Sequence, residues 1–261
     1  MRTWAIGDIQ GCFTVFQSLL TKIDFKAGRD QLWLAGDVIN RGPESLEMLR
    51  WVVRHQADVR MVLGNHELHV LAQARGFDKV KRRDTFQPIL VAPDRDALLS
   101  WLQRRPLLVR RGEMTMVHAG LAPSWSVDLA AQLAAEIEAT LRGPGADALL
   151  SRLRGDVPTW TPSLRGIERQ VAAVAVLTRM RTCAADGAVT DYVGPPESCP
   201  SGQQPWHAWT RRPGTVIFGH WAAYGYHVRP GHVSLDSGAV WGRQLTAWCL
   251  EDGTTAQVPG V

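Results

Sequence analysis

The sequence predicts an α/β fold whose strands are covered by helices on both faces, and three observations carry that reading. Five short apolar runs end at a turn pairing glycine with a polar residue: 3–6 before Gly7-Asp8, 31–35 before Gly36-Asp37, 60–63 before Gly64-Asn65, 114–117 before His118-Ala119-Gly120, and 215–218 before Gly219-His220. Near-continuous apolar strands of this kind belong to a sheet buried on both sides. Segments of helical period lie between them. The chain, at 261 residues with 45% hydrophobic and 21% charged side chains, is long enough to bury a full core as one domain over 1–261.

The first helix is expected over 13–23, where Phe13, Phe16, Leu19, Leu20 and Ile23 share a face. A second starts near Pro43, a residue favoured in a first turn, and is expected to bury Leu46, Leu49 and Val53. Further helices are expected at about 94–104, 127–141 and 164–182, with Ser126 and Ser163 as N-caps and Gly143 just past an end. The stretch at about 126–182 thus reads as a helical insertion. The Pro-, Gly- and Ser-rich segment 194–205 reads as a surface loop, and 254–261 as a loose tail.

Composition removes several classes of function. No apolar run approaches the roughly 20 residues that cross a bilayer, and the first residues run into a Gly-Asp turn, so a soluble, cytoplasmic protein without a membrane partner is expected. Cys12, Cys183, Cys199 and Cys249 lie far apart with no C-x-x-C pair, as reduced thiols would. The net charge is +4, and 25 of the 29 basic residues are arginine. That bias suits bidentate phosphate binding, although a GC-rich genome produces it as well.

Ligands of open α/β sheets gather outside the carboxyl ends of the strands. The five turns place Asp8 with Gln10, Asp37, Asn65 with His66, His118, and His220 at such ends. Each alone is an ordinary turn or cap signal. Five in one chain, one of them carrying Arg41 as well, point to a metal centre.

Gly7-Asp8-Ile9-Gln10-Gly11, Gly36-Asp37 through Arg41-Gly42, Gly64-Asn65-His66-Glu67, His118 and His220 together resemble the binuclear metallophosphoesterases of the phosphoprotein-phosphatase type. Leu32-Trp33-Leu34, the run from Arg41 to Leu46, Leu63 to Leu71, Thr178-Arg179-Met180-Arg181, Phe218-Gly219-His220-Trp221 and Leu235 to Gly242 resemble, more closely, the symmetrical bis(5'-nucleosyl)-tetraphosphatase family. The resemblance spans nearly the whole chain. It implies a calcineurin-like fold with two mixed β-sheets sandwiched between helices (α/β/β/α). It further implies two divalent cations, Mn²⁺ foremost with Co²⁺ or Mg²⁺ as alternatives, and a dinucleoside polyphosphate substrate. Diadenosine tetraphosphate would be cut at its central anhydride into two ADP, and RNA 5' ends bearing the same linkage would fit the same chemistry.

Two ions about 3.5–4 Å apart activate water and neutralise phosphoryl oxygens, and they need a shared carboxylate. By the family pattern Asp37 is that carboxylate, Asp8 and Gln10 complete one site, and Asn65, His118 and His220 complete the other. Arg41 would clamp the phosphoryl oxygens, and His66 would protonate or orient the leaving nucleotide.

Two positions depart from the superfamily. Gln10 stands where a histidine is usual, and its neutral carbonyl favours harder ions, Mn²⁺ or Mg²⁺ over Zn²⁺. Asn40 stands where protein phosphatases carry the aspartate that supports the catalytic histidine. An amide makes His66 a poorer proton donor, and that suits a nucleoside diphosphate, a weak base, better than a serine alkoxide. Arg179 and Arg181 are candidates to reach distal phosphates or else lie on a solvated helix face. Trp221 either stacks on an adenine or packs against the sheet. His55, His69, His207, His227 and His232 match no motif position and read as surface or supporting residues. The competing readings are a Ser/Thr protein phosphatase and a catalytically impaired relative that binds nucleotide or RNA.

Overall fold

The structure is a computed structural model that describes residues 1–209 and 213–261. In chain order its strands are β1 (Thr3–Ile6), β2 (Gln31–Leu34), β3 (Val59–Met61), β4 (Leu108–Arg111), β5 (Met114–Val117), β6 (Thr182–Ala184), β7 (Gln203–Pro205), β8 (Thr215–Phe218), β9 (His227–Arg229), β10 (His232–Ser234), β11 (Gln244–Cys249) and β12 (Thr255–Pro259). The helices are α1 (Phe13–Lys22), α2 (Ser45–Arg54), α3 (Asn65–Ala74), α4 (Gln87–Val91), α5 (Arg95–Gln103), α6 (Val127–Arg142), α7 (Ala146–Arg152) and α8 (Gly166–Arg179). Among the described residues no helix is long and apolar enough to cross a membrane.

Two five-stranded mixed sheets form the centre, ordered β12-β11-β1-β2-β3 and β4-β5-β8-β10-β9. In the first, β1 runs parallel to β2 and β2 to β3, while β11 is antiparallel to β1. In the second, β8 lies parallel between β5 and β10. Strand alternation sorts the side chains. Ala5, Trp33, Met116, Ile217, Val233 and Trp248 fill the space between the sheets, whereas Trp4, Ile6, Leu32 and Leu34 point away from it into the core shared with the helices. Both faces are therefore buried, and the result is the α/β/β/α sandwich. The isolated runs argued for one central sheet, because nothing in them records which strands are neighbours.

Several boundaries move for identifiable reasons. Helix α2 starts two residues after Pro43, and its buried face is Met48, Leu49, Trp51 and Val52, with Leu46 and Val53 only partly buried beside it. Trp51 turns that face toward α1, where it meets Phe16 edge-on at 4.8 Å. Ser126 does cap α6, accepting the Leu129 N–H at 3.1 Å, and Gly143 follows the helix end. Ser163 caps nothing. Gly166, at φ 55°, delays the start of α8, and Met180 leaves it extended, so Arg181 stands beyond the helix rather than inside it. Helix α3 has no expected counterpart because Leu68, Val70, Leu71 and Ala72 bury nearly its whole circumference and leave no stripe to read. The expected loose tail is β12, paired antiparallel to β11 with Leu245 opposite Val258. Segment 194–205 remains at the surface but contains β7.

A stacked aromatic array closes the second sheet. His207 lies 4.0 Å from His232, Tyr224 lies 4.4 Å from His227, and the Tyr224 hydroxyl is 2.8 Å from His232 Nε2. Burial, reinforced by the charges of neighbouring His232, His227 and Arg229, pulls His207 down to about 3 and His232 down to about 4. Between roughly pH 6.5 and pH 4 the unfolded chain thus binds more protons than the folded one, and stability falls as pH falls. Replacing His207 with Phe keeps a ring in the stack and removes one titration. Thermal unfolding across pH 7 to 4.5 is expected to show a shallower loss in this variant, by on the order of 1–2 kcal/mol over the range; parallel curves would contradict the assignment.

Candidate metal centre

The turns after β1, β2, β3, β5 and β8 meet at the C-terminal ends of their strands, and Asp37, 1% exposed, lies at their centre. Its Oδ2 is 3.4 Å from His118 Nε2 and 3.6 Å from His66 Nε2, while its Oδ1 accepts the His66 backbone N–H at 2.9 Å. Burial opposes ionisation of Asp37, and positive charge facing it, on His118 and His66 as imidazolium, outweighs that cost and holds the carboxyl well below the usual range; where the rings are neutral a cation must take that place.

The two ligand-type histidines are oriented by backbone carbonyls. His118 Nδ1 is 2.7 Å from Ala35 O, and His220 Nε2 is 3.1 Å from Arg179 O. A carbonyl only accepts, so each ring donates there and turns its other nitrogen inward. Those inward atoms, His118 Nε2 and His220 Nδ1, stand 3.2 Å apart, and Asn65 Oδ1 is 3.1 Å from the former. Two imidazole lone pairs, an amide oxygen and a carboxylate facing one point repel each other unless positive charge sits among them. Asp37, His118 and His220 have their ligand atoms within 4.8 Å of one another, a spacing that fits a cation. This outer hydrogen bonding is the arrangement that holds imidazole ligands to metals.

Asp8 lies beside this cluster, 4% exposed, with Oδ1 accepting the His220 N–H at 2.9 Å. Burial and the neighbouring Asp236 raise its pKa well above the ordinary carboxylate value, and burial pushes Asp236 itself up to about 6. An excess of buried carboxylates, Asp8 and Asp236, is thus present beside the cluster. Gln10 borders a cavity of about 240 Å³ together with Asp37, Asn65, His66, His220 and Asp236. Asp37, Asn65, His118 and His220 therefore meet directly, Asp8 joins them through the His220 N–H, and Gln10 borders the same cavity as Asp37, Asn65 and His220.

The backbone is strained where it delivers them. Of the six non-glycine residues with positive φ among the described ones, five are Gln10, Asp37, Asn40, Arg41 and His220. Each such residue costs ~1 kcal/mol or more, and strain of this kind persists where the surroundings over-determine it. The glycines next to the ligands serve a further purpose. A Cβ on Gly64 would collide with Asp37 Oδ1, and one on Gly219 with Asp8 Oδ1, so the backbone presses directly against both carboxylates.

Asn40 has a fixed orientation. Its Oδ1 accepts the backbone N–H groups of Arg41 and Thr85, both at 2.9 Å, so its amide nitrogen faces His66 Nδ1 at 2.7 Å and Asp84 Oδ1 at 3.1 Å. His66 Nδ1 must then accept, and the ring proton resides on Nε2, toward Asp37. Behind Asn40, Asp84 bonds to His69 Nε2 at 2.8 Å, His69 pairs with Asp78, and Arg154 pairs with Asp78 at 2.7 Å. His69 is thus a supporting residue.

Arg41 and Arg181 line both the smaller cavity and an adjoining one of about 350 Å³, where Arg179 and Arg154 also stand. Arg41 bonds to Arg83 O at 3.0 Å, and Arg181 lies 3.3 Å from His220 O. Burial lowers the pKa of Arg179 and Arg181, so the solvated-face alternative does not apply to them. Trp221 is a correction: it is 1% exposed and its indole N–H donates to Gly194 O at 2.9 Å, so it offers no face to a base. Placed on an inward turn directly after His220, it props the loop at the cavity rim instead.

Four residues were not singled out from the sequence. Glu67 accepts the backbone N–H groups of Asp37 at 2.8 Å, Val38 at 3.0 Å and Gly64 at 2.8 Å, bracing two motifs at once. Asp84 orients Asn40, Asp236 joins the acidic side, and Trp241 borders the smaller cavity. Glu67, Asp236 and Trp241 do fall inside motifs quoted above; Asp84 carries no sequence signal.

Residues 1–224 match the family model of the calcineurin-like phosphoesterases. The chain is 46% identical over 264 residues to a protein of Chromobacterium violaceum named symmetrical bis(5'-nucleosyl)-tetraphosphatase, covering 99% of this chain and 95% of that one. A protein of the same name from Chromohalobacter salexigens is 48% identical, with 97% and 96% covered. A solved crystal structure assigned, provisionally, to a diadenosine tetraphosphatase superposes with a TM-score of 0.70 at 26% identity, covering 100% of this chain and 94% of that one.

Glu67 supplies a direct test of how the centre is held. In Glu67→Gln one end of the side chain becomes a donor, so a buried backbone N–H in this trio loses its acceptor. Unfolding free energy is expected to fall by ~2–3 kcal/mol, with loss of bound metal measured by elemental mass spectrometry. A melting temperature and metal content equal to those of the parent would show that the brace is dispensable.

Proposed function

Because this chain belongs to the calcineurin-like phosphoesterases, and within them to the symmetrical bis(5'-nucleosyl)-tetraphosphatases, we propose that it hydrolyses the central phosphoanhydride of dinucleoside tetraphosphates, turning diadenosine tetraphosphate into two ADP. The observation that carries this reading is the shape of the cleft. Two cavities of about 240 and 350 Å³ share Arg41, Asn65, His66, Arg181, Val193 and His220 as a common waist. A substrate with a nucleoside at each end would set one in each lobe and its central bond at the waist.

Two divalent cations would be held by Asp8, Gln10 and Asp37 on one side and by Asp37, Asn65, His118 and His220 on the other. When bound they supply charge neutralisation and lower the pKa of water. Gln10 gives its side an oxygen donor, so Mn²⁺, with Co²⁺ or Mg²⁺ next, is preferred to Zn²⁺. Arg41 and Arg181 hold phosphoryl oxygens from either lobe, and Arg179 reaches a distal phosphate in the larger one. His66 presents Nε2–H to the leaving diphosphate oxygen as a hydrogen-bond donor, and a weakly basic leaving group requires no more. The work of such an enzyme lies with the cytoplasmic nucleotide pool. RNA 5' ends carrying the same tetraphosphate linkage are a second substrate class, favoured by the exposed Lys79, Lys81, Arg82 and Arg83, of which Lys81 borders the larger cavity.

Product analysis tests the reading. Diadenosine tetraphosphate with Mn²⁺ is expected to yield ADP alone, severalfold faster than with Zn²⁺, and Asp37→Asn is expected to lose at least ~100-fold in rate. Appearance of AMP with ATP would mean asymmetric attack and would overturn it.

The Asn40 geometry generates a separate expectation. A carboxylate at position 40 would accept from His66 Nδ1–H and raise the imidazole pKa, so that more of the ring carries a second proton on Nε2 to give to a leaving group, but it would also lie beside Asp84. In the double variant Asn40→Asp with Asp84→Asn, the ratio of aryl phosphomonoester to dinucleotide cleavage is expected to rise about tenfold or more. An unchanged ratio would remove the link between Asn40 and leaving-group choice.

A further inference from the structure

Ten of the eleven tryptophans are buried or half-buried, and Trp241 alone is exposed, at 53%. It is not a stray surface ring. It borders the smaller cavity beside Asp37, Asn65, His66 and Asp236, with exposed Val193 on the same wall. We propose that Trp241 is the stacking platform for one nucleobase of the substrate, and that it sets the preference of this lobe for a nucleotide over a bare phosphate chain.

The backbone under the indole is built to hold it still. Trp241 ends a 3-10 turn, Ala239–Trp241, flanked by Gly238 at φ 75° and Gly242 at φ 77°. Just before the turn Asp236 accepts the Gly238 N–H at 3.1 Å, and so links the platform to the buried carboxylates of the candidate metal centre. The chain end pins it from beneath: the Val261 N–H donates to Ala239 O at 3.1 Å, and the Gly260 N–H to Arg243 O at 2.7 Å. Arg243 in turn reaches Ala222 O at 3.0 Å, tying the turn to the segment after His220. A large apolar ring held in water on a fixed turn loses little freedom when a base stacks on it.

The other lobe is different in kind. Its walls beyond the waist are aliphatic and charged of both signs, with Leu153, Val157 and Val189 beside Arg154, Arg179, Asp78 and Asp191, and among the described residues no aromatic ring other than imidazoles. The two base subsites are therefore unequal although the substrate is symmetric. The aromatic lobe recognises the base and the aliphatic lobe holds the second nucleoside loosely.

The inference rests on the dinucleotide reading, which wild-type product analysis tests by itself. Trp241 is tested by binding and kinetics in Trp241→Ala and Trp241→Phe. Base stacking loss predicts about a tenfold rise in KM for diadenosine tetraphosphate in Trp241→Ala, ~1.4 kcal/mol, with kcat within about twofold. Calorimetric binding of ADP to the Mn²⁺-loaded protein should weaken by a similar factor while binding of pyrophosphate stays unchanged, and Trp241→Phe should restore most of both. Unchanged ADP affinity in Trp241→Ala, or an equal loss for pyrophosphate, would overturn the platform even if ADP remains the sole product of the wild type.

Discussion

A single buried carboxylate, that of Asp37, organises the catalytic end of this molecule. Left in an apolar interior without counter-charge, such a group would be protonated or would unfold its surroundings. Here His118 and His66 face it, the His66 N–H bonds to it, Gly64 presses against it, and Glu67 holds its own backbone N–H. Much of the local sequence follows from that requirement. The glycines are there to let backbone approach a carboxylate, and the residues with positive φ are the ones delivered to it. Their combined strain is sustained because β1, β2, β3, β5 and β8, buried on both faces, fix where each turn begins.

The same packing explains the form of the cleft. Arg181 stands at the waist because α8 stops at Arg179 and the chain turns through extended Met180, which brings one arginine to the larger lobe and the other to the shared rim. Had the helix continued, the two arginines would have diverged by about 200° around its axis. The end of α8 thus sets Arg179 and Arg181, with Arg41, in the walls of the cleft beside the candidate metal centre.

Much of this was legible in the sequence, and the part that was not has a physical cause. Strand runs such as 114–117 and 215–218 were read to the residue because apolar character stops where the chain leaves the core. The six candidate ligands stood out in the sequence because close approach forces glycine beside them. Strand neighbours were not, since pairing of β11 with β1 joins residues some 240 apart and leaves no local mark. The edge strand β12 was missed because only Val258 is buried in it, and for Trp221 the sequence leaves stacking on a base and packing both open because ring size says nothing about the direction of a turn. Asp84 was invisible for a related reason: its partners Asn40 and His69 come from different elements, and a bonded aspartate looks like any loop residue in one dimension.

Asp84 also accounts for the amide at position 40. Asn40 Nδ2 lies 3.1 Å from Asp84 Oδ1, and a carboxylate in its place would face a second carboxylate across that gap. At an effective dielectric of 20 the repulsion is roughly 5 kcal/mol, comparable to the stability of a whole domain. Asp84 is in turn held by His69 and by Arg41, the arginine at the waist of the cleft. One aspartate therefore both pairs with Arg41 at the waist of the cleft and favours a neutral group behind His66. That neutral group donates to Nδ1, leaves the ring proton on Nε2, and makes His66 a hydrogen-bond donor rather than an acid. The tautomer of His66, on which the proposed choice between a nucleotide leaving group and an alkoxide rests, is thus set from 44 residues away from Asn40 in sequence, by the residue that pairs with Arg41.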